Sequence, residues 1–83
     1  MNITIRVASV QVIPVIRNAD GTVTAQFGGP DARTTNWAVY LRTGNGLAMW
    51  VADRNTEELA MKVGQWYADK HQAPIEPQPW KPA

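Results

Sequence analysis

Cysteine is absent from this chain of 83 residues, and histidine, serine and phenylalanine occur once each. Without a thiol there is no disulfide, no thiolate nucleophile and no cysteine-bound metal, a composition compatible with a reducing compartment. The lone histidine, His71, nearly excludes zinc held by imidazoles. It stands two residues from Asp69, and positions two apart on a helix do not face each other, so no acid–base pair is implied. The single serine, Ser9, lies in a strand pattern without the flanking glycines of a nucleophile elbow. An enzyme is therefore not expected, and neither is a cofactor or a resident metal.

Excess charge is missing too. Eight Lys and Arg against seven Asp and Glu leave a net charge of +1, far from the electrostatic footprint of a strong nucleic-acid binder. Polar residues interrupt every apolar run, so no membrane span is expected. The start, Met1 to Arg6, alternates like a strand and lacks the charged opening and apolar core of a signal peptide, which points to the cytoplasm. Gly28-Gly29 and Gly44-Asn45-Gly46 have neither the lysine and hydroxyl of a P-loop nor dinucleotide-type glycine spacing, and suit turns. A chain of this size makes one domain and buries only about 60–65 % of the surface it exposes when unfolded. With disulfides and metal gone, oligomerisation is the remaining staple.

What is present is alternation. Ile3, Ile5 and Val7 mark a strand whose phase slips to Val10 and Val12, which predicts a bulge or break near Ala8-Ser9. Pro14 belongs only at an edge or an irregularity, so residues 3–17 form one bent strand or two short ones. Asn18-Ala19-Asp20-Gly21 is a turn into a second strand carrying Val23, Ala25 and Phe27, and residues 28–35 read as the longest loop. A third strand, 36–43, sets Trp37, Val39 and Leu41 on one face. After the glycine turn a fourth, 47–53, sets Leu47, Met49 and Val51 on the matching face. Asn55 with Glu58 resembles a capped helix start, and the nearby Asp53 and Glu57 suit dipole compensation better than a divalent ion. Down the helix, Leu59, Val63, Trp66, Tyr67 and Ala60 form an apolar stripe.

If Trp37, Val39, Leu41, Leu47, Met49 and Val51 make the core face, then Tyr40, Arg42, Trp50 and Arg54 lie on the opposite face. Tyr, Trp and Arg dominate binding hot spots, so this patch is a candidate interface. Composition shifts after Gln72, where four prolines fall within residues 73–83 and favour an extended polyproline-type tail. Its Ile75 and Trp80 suit either a strap along the domain or a partner-binding segment. Because the core pattern ends before Ala73, removing 73–83 is expected to leave a folded domain.

Trp37, the strand ending Trp50-Val51-Ala52-Asp53 and the helix start Asn55-Thr56-Glu57-Glu58-Leu59-Ala60 give residues 36–70 a loose similarity to known families. The segment resembles the sheet-plus-helix unit of plant AP2-type domains and integrase arm-binding domains. That resemblance implies DNA binding through basic strand residues. Here the basic set would be Arg42 and Arg54, with Arg33 in the preceding loop, and Asp53 intrudes among them.

The expected fold is α+β: a four-stranded, largely antiparallel sheet of two hairpins with one C-terminal helix packed on one face. Residues 1–72 form the domain and 73–83 the proline-rich tail. Strand order and the covered face stay open. The expected function is a small non-enzymatic protein-interaction module, an accessory or mobile-element protein that binds and modulates a larger host protein. Its binding residues would be Tyr40, Arg42, Trp50, Arg54 and Trp80. A second copy of the chain is one candidate partner. DNA bound through the sheet is the alternative, and the less favoured one.

Overall fold

A computed structural model of the protein describes residues 6–81, so the alternation at Ile3 and Ile5 and the last proline, Pro82, lie outside the described residues. The elements in chain order are β1 (Val7–Arg17), β2 (Val23–Ala25), β3 (Asn36–Thr43), β4 (Ala48–Arg54) and α1 (Glu57–His71). The strands form one antiparallel sheet in the order β2-β1-β3-β4, with α1 packed on one face. This is the α+β arrangement that the alternation and the capped helix imply.

Both hairpins close in the same way. Gly21 N–H donates to the Asn18 carbonyl and Asn18 N–H to the Thr22 carbonyl, while Gly46 and Thr43 repeat the pattern with the Thr43 and Leu47 carbonyls. The fourth turn position needs positive φ, and Gly21 and Gly46 adopt 87° and 90° there. β1 is one strand with a register shift between Val7 and Ser9, where the change of apolar phase predicts it. Pro14 sits inside this central strand. The N–H and carbonyl of Val10 and the carbonyl of Pro14 point away from β3, towards Pro74, Glu76 and Gln26 respectively. The missing N–H of Pro14 therefore falls where the β1 border passes from the C-terminal segment to β2, and no β3 bond is lost.

The helix covers the face that carries Val10, Val12, Trp37, Val39, Leu41 and Ala52. Its fully buried residues are the small Ala60, Gly64 and Ala68, and Val63 and Tyr67 of the expected stripe pack partly buried against the core beside Met61. Leu59 and Trp66 are exposed, Trp66 by 56 %. Small residues win because α1 lies close to β1: a Cβ on Gly64 would stand 3.0 Å from Val12 Cγ2. The helix N-cap is Thr56 rather than Asn55, with its side chain accepting from Leu59 N–H at 3.2 Å. At the other end Gln72 adopts the left-handed conformation, and Ala73 and Gln72 N–H groups donate to the Ala68 and Asp69 carbonyls. That pair of bonds is a Schellman closure.

A second correction concerns β4. Val39 faces Ala52, but Tyr40 faces Trp50, so Val51 is an extra residue in the strand. This bulge turns Ala52 into the core, where it is 8 % exposed, while Leu47 and Met49 stay 55 % and 41 % exposed. Residues 74–81 run back as a strap along the β1 border, bonded to Val10 and packed with Ile75 and Trp80 against the core. Among the described residues no helix is long and apolar enough to cross a membrane.

Candidate functional site

The face of the sheet away from α1 is built by register. β3 brings Ala38 and Tyr40 opposite Ile13 and Gln11 of β1, and Arg42 opposite Ser9. Arg17 pairs with Val23, and on β4 Trp50 pairs with Tyr40 and Asp53 with Ala38. Val15 and Ala38 form the floor, 1 % and 2 % exposed, while Trp50 and Val23 stand up at 59 % and 52 %. Together with Arg17, Gly21, Tyr40 and Asp53 they line a groove of about 410 Å³. The walls are apolar and one rim is charged.

That rim is organised by Asp53. Arg17 Nη2 donates to Asp53 Oδ2 at 2.9 Å, and the other carboxylate oxygen accepts from Asn36 Nδ2. The pair ties β1 to β4 across β3. With Arg17 63 % exposed, its net contribution to stability is small, and its use is to orient both side chains beside Trp50.

Of the residues expected from the sequence, Tyr40, Arg42 and Trp50 share this face. Arg54 does not: the Val51 bulge places it opposite Trp37, on the helix side, and puts Asp53 in the groove instead. Trp80 does not line the groove: it sits in the strap, its ring 6.3 Å from Trp37, and packs against the edge of the Ile13, Val15 and Ala38 cluster. Arg17, Val23 and Asp53 were not readable as groove residues, because alternation alone does not reveal the bulge or the pairing of β1 with β3.

The arginines needed for a sheet laid on DNA do not share a surface. Arg54 is on the other face, Arg17 is engaged by Asp53, and Arg33 binds Asp31 at 2.7 Å within its own loop. Arg33 donates from its side chain and backbone to Asp31, which holds that carboxylate down to about 2. The acidic residues around the helix start are likewise separated, Glu57 bound by Lys81 and Glu58 3.8 Å from Lys62. Among the described residues no three His, Cys, Asp or Glu side chains come together as a metal site.

No family model matches this chain. No curated protein and no solved structure matches it either. An exposed indole beside a phenol, over an apolar floor with an oriented ion pair at its rim, has the composition of an interface centre. It offers no nucleophile with a base and no converging donors for a developing charge.

Proposed function

We propose that the chain is a non-enzymatic protein-binding module whose partner docks on the open sheet face, centred on Trp50 and Tyr40. The observation that carries this reading is the exposure of Trp50, 59 %, directly beside Tyr40 at the lip of an apolar groove. Leaving an indole in water forfeits burial that a partner would recover at about 25 cal/mol per Å². Arg17, Asp53 and Arg42 at the margin would set orientation rather than affinity. Size and residue type suit an accessory protein that modulates a larger host protein.

The test is site-directed photo-crosslinking in extract from the source cell. A benzophenone amino acid at position 50 is expected to capture a discrete protein, and the same probe at Lys62, on the wet side of α1, is not. Excess wild-type chain should compete and a Trp50→Ala chain should not. Equal capture from both positions, or equal competition by the alanine variant, would reject this face as the docking site.

A further inference from the structure

Residues 74–80 are held as a guest strand would be. The Pro74 carbonyl accepts from Val10 N–H at 2.9 Å, and Glu76 N–H donates to the Val10 carbonyl at 2.7 Å, pairing Ile75 in parallel with Val10. Ser9 Oγ donates to the Glu76 carboxylate at 2.7 Å, and the Gln78 amide reaches the Val12 carbonyl at 3.4 Å. Trp80 then turns in between Trp37 and Gly29. A Cβ on Gly29 would stand 2.8 Å from the Trp80 Cβ, so the slot is cut to the indole that fills it. Main-chain pairing to a free border, with side-chain pockets at its ends, is the mode by which sheets accept peptides.

The hinge between α1 and this strand is short and conformationally unfavourable. Gln72, at φ 52° and ψ 43°, is the only non-glycine residue with positive φ among the described residues. Ala73 precedes Pro74 and is driven towards extended backbone. An extended Gln72 would release the left-handed conformation and carry the strand away from its own slot. Short hinges under strain favour exchange of the element they hold.

The geometry points to reciprocal strand exchange: Pro74–Trp80 of one copy enters the β1 slot of a second copy, whose own strand returns the contact. Every bond in the slot is kept, because guest and host are the same chemistry in either arrangement. The exchange does not use Trp50, and neither Trp80 nor Gly29 lines the groove beside it, so it stands apart from partner docking there.

Two half-defective chains test it. Trp80→Ala removes the guest anchor but leaves the slot, and Gly29→Val leaves the guest but closes the slot, both by its contact with Trp80 and by straining a backbone held at φ 112°. Each alone should sediment as a monomer, and their mixture should give a heterodimer resolved by native mass spectrometry. In the full chain Gln72→Gly, which accepts positive φ, should weaken the wild-type dimer. Gln72→Pro, which cannot adopt it, should tighten the dimer by about tenfold. If Gly29→Val fails to fold, the two Gln72 variants still decide. Monomeric wild type and Gln72→Pro chains at several hundred micromolar would overturn the exchange. So would a mixture without heterodimer, or a dimer indifferent to position 72. A dimer lost with Trp50→Ala but not with Trp80→Ala would also overturn it, and would assign self-association to the open face.

Discussion

At the residue scale, two side chains are set by their immediate neighbours. Asp31 accepts from the Arg33 backbone at 2.8 Å and from its guanidinium at 2.7 Å, and its carboxyl titrates at about 2 instead of about 3.9. A depressed value means that the contribution to loop order is full above the unfolded value and is lost as pH falls through about 2. The Arg33 amide is therefore expected to shift in an NMR titration with a midpoint near 2, and a midpoint near 4 would show that the contact does not persist in water. Trp80 poses the opposite problem, since its indole N–H is buried without an acceptor among the described residues. Trp80→Phe sheds that unpaired donor while keeping most of the ring, so its cost in urea unfolding should stay within about 1 kcal/mol. Trp80→Ala should cost about 2 kcal/mol through lost packing on Trp37. Equal losses in both variants would mean that the N–H is bonded in solution.

At the scale of elements, the helix contact depends on smallness. Gly64→Ala gains about 1 kcal/mol of helix propensity but sets a methyl 3.0 Å from Val12 Cγ2, and Val12 is 2 % exposed with little room to move. A net loss of about 1 kcal/mol is expected from the urea midpoint, and a gain would show that α1 can ride outward. Trp66→Ala, in contrast, should change stability by no more than about 0.5 kcal/mol, because that ring is solvated and touches only Tyr67 and Lys70 in the aromatic contacts it makes. The same contrast explains what the sequence could tell. Strand and helix positions follow from period and from Gly21 and Gly46, and the β1 bulge follows from the slip at Ala8. The stripe holds at Ala60, Val63 and Tyr67 and misleads at Leu59 and Trp66, because periodicity weighs hydrophobicity and not size and so favours Trp66 over Gly64. The Val51 bulge is silent because Val51 and Ala52 are both apolar and either phase satisfies the pattern. The strap is legible only as one of two readings of Ile75 and Trp80, since its docking depends on a β1 border left free by a β2 of only three residues. Removal of 73–83 therefore uncovers Val10 and Trp37, and the expectation of an intact domain gives way to one of a weakened fold.

At the scale of the whole molecule, a single helix leaves half of the sheet without a covering layer, yet that half is not uniformly wet. Ile13, Val15 and Ala38 form a second buried cluster there, 4 %, 1 % and 2 % exposed, packed with Ala25, Tyr40 and Trp80. β1 thus contributes to two apolar layers: Val10 and Val12 under the helix, Ile13 and Val15 under side chains of neighbouring strands and the strap. A domain this small has little stability to spare, so both layers should be felt in thermal unfolding. Val12→Ala and Val15→Ala each remove two buried methyl groups, and each is expected to cost about 2 kcal/mol, or about 10 °C in Tm. The two sites lie on opposite faces of one strand and their losses should add within about 0.5 kcal/mol. A Val15→Ala chain melting within about 1 °C of the wild type would mean that the open face is hydrated in solution, and the floor on which Trp50 and Tyr40 stand would then not be a preformed surface.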